Sequence, residues 1–229
     1  MASKKKNSNY VTDKTSKKKA EAAQKKQAKQ KKEQIKSIAI PAVVVLLILA
    51  AIFLVIYLGG GFDYIPEATE HVTIQLDGYG TSLHVELYGD DAPITVKQFK
   101  SLVSGHYYDG KTLTAYVDGN LYFGGDSEGD GGIKGEFSAN GVKNKVPFEV
   151  GTLVMARGES YDSGYSKFFV VTENTDISAL QGNYAAFGRI TGGMDVIEEI
   201  IGGLNVGADG LIPVSEQIKI TSISSHDSH

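Results

Sequence analysis

The sequence predicts a mainly β fold: a closed antiparallel barrel whose open ends are covered by two helices, preceded by a single transmembrane helix. Three observations predict it. Residues 38–58, IAIPAVVVLLILAAIFLVIYL, form one uncharged run of 21 residues. Beyond residue 70 the apolar residues recur at period two, and glycines punctuate the segments. Within that region only two stretches, at 93–105 and 194–201, carry helical spacing.

At a rise of about 1.5 Å per residue, the run 38–58 reaches roughly 31 Å, the thickness of a bilayer's hydrocarbon core. Its one helix breaker, Pro41, stands near its start, and it has no polar stripe of the kind a buried core helix shows. It is also longer than the apolar core of a cleavable signal peptide, about 7–15 residues. A retained signal-anchor helix is expected. Residues 1–37 hold 13 Lys, no Arg and three acids (Asp13, Glu21, Glu33), a balance of +10. The whole chain carries −4, so the remainder carries −14. Lysine flanking one end of a lone membrane helix keeps that end in the cytoplasm. The expected location is the cell membrane, single-pass, with a cytoplasmic Lys-rich tail (1–37) and an extracytoplasmic C-terminal domain. The lysines also suit anionic lipid heads, at about 1 kcal/mol each near the surface. Nucleic acid is not an expected partner: the tail has no Arg and one aromatic, Tyr10, for stacking.

Gly59–Gly61 ends the anchor, and residues 59–70 read as a linker to a domain at 71–224, with a short tail at 225–229. In VTIQLDGYGTSLHVELY, Val72, Ile74 and Leu76 alternate with polar residues, and Leu83, Val85 and Leu87 do the same after a glycine-containing turn at 77–80. This is a hairpin with one buried face, and it turns His84 outward. Pro93 opens a helix in which Val96, Phe99, Leu102 and Val103 make one apolar face, and Gly105 ends it. Further strands are expected at 120–123, 151–157, 167–172 and 184–190, a second helix at 194–201 between glycine pairs, and a last strand at 217–223.

The absence of cysteine excludes disulfides, thiol catalysis and Cys-ligated zinc. Asp126, Glu128 and Asp130 imitate the start of a calcium loop, but its twelfth position is Phe137 rather than Glu. The five histidines lack metal-ligand spacing, and no G-x-S-x-G, P-loop or dinucleotide fingerprint occurs. No metal and no cofactor is expected.

The order APITVKQFKSLVSGHYYDG, FGGD, GTLVMARG, SKFFVVT, LQGNYAAFGRITGGMDVIEEI resembles the cyclophilin-type peptidyl-prolyl isomerases over roughly residues 72–223. The resemblance implies an eight-stranded antiparallel barrel capped by two helices. It also implies isomerisation of Xaa-Pro bonds, with no cofactor. Aligned without a gap from Tyr108 to Asp126, the family's histidine-arginine pair falls on Thr114 and Ala115, so the catalytic arginine is absent. The pocket phenylalanine falls on Asn120, its neighbouring methionine on Leu121, and a glutamine on Phe123. Ala156, Leu180 and the pocket floor, Phe169, match; Lys167 replaces a glutamine, Ala179 a variable tryptophan, and Tyr184 the pocket histidine. Phe169, Leu121, Ala156, Leu180 and Tyr184 are expected to form an apolar cleft, and Asn120 and Phe123 are expected to bind substrate with them. Arg157 and Lys167 are the cations that could substitute for the missing donor. The expected function is an isomerase that assists folding of exported proteins with reduced activity. The alternative is an inactive module that binds proline-containing or extended segments.

Overall fold

The computed structural model describes residues 64–125 and 131–226, and between 21 and 54 only scattered helical residues, all exposed. The chain divides into two units, Met1–Asp63 and Tyr64–His229. Among the described residues no helix is long and apolar enough to cross a membrane. Most of the expected span 38–58 lies outside the described residues, as do much of the tail 1–37, linker residues 59–63, the acidic loop 126–130 and residues 227–229.

The second unit carries eight strands: β1 (Glu70–Leu76), β2 (Leu83–Leu87), β3 (Leu113–Val117), β4 (Asn120–Phe123), β5 (Thr152–Met155), β6 (Phe168–Val171), β7 (Ala185–Gly192) and β8 (Ile220–His226). They form one antiparallel sheet in the order β3-β4-β6-β5-β7-β2-β1-β8. The two end strands meet at their first residues and the residues just before them. Leu113 N–H donates to Ile218 O at 2.8 Å and Ile220 N–H to Lys111 O at 2.7 Å, around a Thr112–Lys219 bridge. These flanking bonds, rather than a β3–β8 ladder, are what joins the ends of the order among the described residues.

Among the described residues three α-helices accompany the sheet: α1 (Pro93–Ser104), α2 (Ile177–Leu180) and α3 (Met194–Gly203). Helices α1 and α3 match the two expected. The four-residue α2 was not expected; Asp176 caps it by accepting from Ser178 N–H. Strand β3 was not expected from periodicity either. Asp118 and Gly119 join it to β4 with φ of 50° and 76°, the positive pair that a two-residue hairpin turn demands. A Cβ on Gly119 would stand 2.3 Å from the Asn174 backbone, so glycine is required there.

Period two sorts the strands into two faces. Leu153, Met155, Phe168, Val170, Ala185 and Phe187 face a core shared with Val96 and Phe99 of α1 and Ile197 and Ile200 of α3. Val154, Ala156, Phe169, Val171 and Ala186 face the other way, into a second cluster with Tyr88, Val146, Phe148 and Leu180. The first face is called inner below. His84 is exposed, as its alternation requires.

Candidate functional site

The second cluster holds the floor that the sequence singled out. Phe169 lies on β6 with no exposed surface. Across the sheet its direct partners are Tyr122 on β4 and Val154 on β5, and Val154 in turn faces Ala186 on β7. Tyr122 also faces Ala115 on β3, and Ala115 bridges to Leu211. Side chains of directly paired residues stand on one face. The result is a row, Leu211–Ala115–Tyr122–Phe169–Val154–Ala186, running across the sheet.

A bulge makes this row possible. The β3–β4 register shifts between Leu113 and Ala115, leaving Thr114 as the extra residue. Leu113 therefore faces Phe123 on the inner side, while Ala115 turns to the opposite side against Tyr122. Ala115 thus stands where the sequence placed the family's arginine position, on the face of Phe169. It presents a methyl group.

Three expectations need correction, those for Leu121, Phe123 and Asn120. Leu121 and Phe123 do not line a cleft with Phe169: both are fully buried in the inner core, and Phe123 stacks on Phe168 at 4.9 Å. Alternation along Asn120–Phe123 gives the intervening residue, Tyr122, to the Phe169 face. Tyr122 was the missed residue, and the period-two rule applied within NLYF could have found it. Leu211 was missed too; it is half exposed beside Ala115, and only the pairing of a loop onto β3 reveals it. That loop is held by Tyr116 N–H to Gly210 O at 2.8 Å and Ile212 N–H to Thr114 O at 3.0 Å.

The other expected residues converge. Ala156 and Leu180 are buried in the Phe169 cluster, and half-buried Tyr184 packs against it. The Tyr184 ring meets Phe169 edge-on at 5.8 Å, and Tyr122 lies tilted over Phe169 at 5.1 Å. Burial first, then the neighbouring Tyr184 and Asp118, push the Tyr122 phenol up to about 12. Asn120 is buried at the end of β4, where its amide donates to Asp118 O and its Oδ1 accepts from Thr175. It closes a turn rather than lining a cleft.

Arg157 sits behind Tyr184. Its guanidinium carbon lies 4.6 Å from the Tyr184 ring centre, 5.0 Å from Tyr161 and 5.4 Å from Phe137. Nε donates to Asn183 O and Nη1 to Gly158 O, both at 3.0 Å. The side chain therefore fixes the aromatic wall. Lys167 precedes Phe169 by two residues on the same face, half-buried, with its carbonyl accepting from Ala156 N–H. Ala179 is exposed on α2. Among the described residues no group of three or more His, Cys, Asp or Glu could hold a metal ion.

A family model described as cyclophilin type peptidyl-prolyl cis-trans isomerase/CLD matches residues 71–225. A peptidyl-prolyl cis-trans isomerase of Acinetobacter baylyi is 30% identical over 148 residues, spanning 62% of this chain and 78% of that protein. Peptidyl-prolyl cis-trans isomerase B of Bacillus subtilis is 32% identical over 126 residues, 54% of this chain and 86% of that one. Among solved structures, a cyclophilin type peptidyl-prolyl cis-trans isomerase of Cryptosporidium parvum superposes with a TM-score of 0.56 at 20% identity, covering 70% of this chain and 99% of that chain. That last likeness is one of fold.

Proposed function

The chain belongs to the cyclophilin-type peptidyl-prolyl cis-trans isomerase family, and from that premise we propose that it turns Xaa-Pro bonds slowly in exported proteins at the outer side of a cell membrane. The barrier to such rotation is about 18–20 kcal/mol, and no covalent bond needs to break. The protein has to hold the proline ring and favour the twisted amide. The Phe169 cluster, walled by Tyr122 and Tyr184, supplies an apolar aromatic seat. As the amide twists, the proline nitrogen regains its lone pair and accepts a hydrogen bond better.

One observation carries the reduced rate. The position on the Phe169 row where the family resemblance places an arginine holds Ala115, and the guanidinium of Arg157 is bonded to the Asn183 and Gly158 carbonyls. Loss of one preorganised donor costs about 10²–10³ in rate in other enzymes. The test is isomerisation of a short Xaa-Pro peptide by the full chain in lipid nanodiscs. The expected result is weak turnover above background, rising about 100-fold in Ala115→Arg. Background rates from both proteins exclude the enzyme reading.

A second reading, a module that binds proline-containing segments without turning them, is favoured by Ala115: the aromatic wall is present while the donor position holds a methyl group. Peptide binding without turnover selects it.

The membrane location is supported by the uncharged run 38–58 and the +10 balance before it. Because the chain has no cysteine, single-cysteine variants report topology directly. An impermeant maleimide on intact cells is expected to label Ser225→Cys and not Ser8→Cys. The reverse pattern overturns the orientation.

A further inference from the structure

We propose that the Tyr122 hydroxyl is the hydrogen-bond donor to the turning Xaa-Pro amide, in place of the absent guanidinium. The proposal rests on the reading of the Phe169 face as an isomerase site. Sheet register places Tyr122 between Ala115 and Phe169 and makes it the direct partner of both. Directly opposed residues have Cβ atoms about 4.5–5.5 Å apart, so the phenol covers the ground between the vacated arginine position and the floor. Its ring already lies 5.1 Å from Phe169.

The hydroxyl is available. Buried Tyr108 donates to Ser166 O at 2.8 Å and half-buried Tyr116 accepts from Asn174 at 2.9 Å, whereas Tyr184 on the same wall, like Tyr122, makes no side-chain hydrogen bond among the described residues; of the two, only Tyr122 is the direct sheet partner of Ala115. Among the described residues no fully buried side-chain polar atom lacks a partner, so the unpaired Tyr122 oxygen keeps some exposure to solvent. Its burial holds the proton on well beyond neutral pH, so it meets a substrate as a donor. A neutral phenol is a weaker donor than a guanidinium, which accords with slow turnover.

The competing cations are placed less well. Arg157 is tied to the Asn183 and Gly158 carbonyls and lies against the Tyr184 ring. Lys167 shares the face of Phe169 but pairs with the Ala156 end of β5, away from Ala115.

The experiment uses the full chain in nanodiscs, with steady-state isomerisation of a Xaa-Pro peptide and peptide affinity measured separately. Tyr122→Phe keeps the ring and removes only the oxygen. The expected result is a fall of about tenfold in kcat with KM and peptide affinity unchanged. Ala115→Arg added to Tyr122→Phe is expected to restore the rate. Wild-type kcat in Tyr122→Phe overturns the proposal, as does a rise in KM alone, which makes the oxygen a binding contact. So does a silent Tyr122→Phe beside a tenfold loss in Lys167→Met. A wild-type rate at background overturns the isomerase reading as well, and is distinguishable because no variant then needs comparison.

Discussion

The two faces of this sheet are both buried, but by different means. The inner face is closed by hydrocarbon: α1 and α3 lay Val96, Phe99, Val196, Ile197 and Ile200 against strand residues of the same kind. The opposite face is closed by loops held with single polar groups. Asn144 donates to the carbonyls of Glu136 and Ala186, at 3.0 and 2.8 Å. Glu136 reaches α1, Arg157 grips the Tyr184 wall, and Asp162 ties two loops together. A hydrocarbon face tolerates exchange of one apolar residue for another of similar volume. A face held by individual hydrogen bonds does not, because each unpaired group left behind is costly. The scaffold is thus spread over many residues, and the site hangs on few.

The sharpest test of that difference is a pair of adjacent residues. Phe168 is fully buried on the inner face, stacked on Phe123 and edge-on to Phe99 at 5.5 Å. Phe168→Ala is expected to cost about 3–5 kcal/mol in chemical denaturation. Phe169→Ala on the opposite face is expected to cost less, since the half-buried rings of Tyr122 and Tyr184 can settle into the space, and to abolish peptide binding. A larger stability loss at Phe169 than at Phe168 breaks the comparison.

What could be read from the sequence follows the same division. The inner face was legible because alternation and helical spacing are properties of many residues at once: Val72, Ile74 and Leu76 and the Pro93 helix all stand where their pattern puts them. Strand β3 was hidden because LTAYV does not alternate cleanly, and its bulge at Thr114 shifts parity midway. The Asp118–Gly119 turn was the available signal. The same one-residue parity explains the site. The family resemblance finds Ala115 and Phe169, but it assigns Leu121 and Phe123 to a face that the pleat gives to Tyr122. The pairing of Leu211 with Ala115 arises from a loop without periodicity, so no local pattern announced it.

Glu136 tests the polar pins directly. Helix α1 has Ala92 at its N-cap, with no side-chain cap of its own. The buried Glu136 carboxylate supplies one from 41 residues away, accepting from Ile94 N–H at 3.0 Å, Thr95 N–H at 2.8 Å and Thr95 Oγ1 at 2.7 Å. It also places a negative charge at the helix's positive end. Glu136→Ala is expected to destabilise by about 2–3 kcal/mol, because three donors lose a charged acceptor together. Glu136→Gln keeps one acceptor oxygen and is expected to lose roughly half as much. Equal losses in the two variants place the effect in packing instead, and weaken the contrast between the faces.

Asp162 gives the smallest effect and the one that pH reads. Its carboxylate accepts from Gly135 N–H at 3.0 Å and Asn140 Nδ2 at 2.6 Å, joining the loop beside Arg157 to the loop that carries Glu136. The Gly135 amide first, then the Asn140 amide, hold its carboxyl below the ordinary value of 3.8. A folded pKa lower than the unfolded one stabilises fully above the unfolded value, and the contribution disappears as pH falls through the folded value. Asp162→Asn is therefore expected to leave stability near pH 7 slightly reduced and to flatten its decline below about pH 4. Denaturant titrations at stepped pH measure both. If the decline keeps its wild-type slope, the pin is a solvent-exposed contact without energetic weight, and the opposite face rests on Glu136, Asn144 and Arg157 alone.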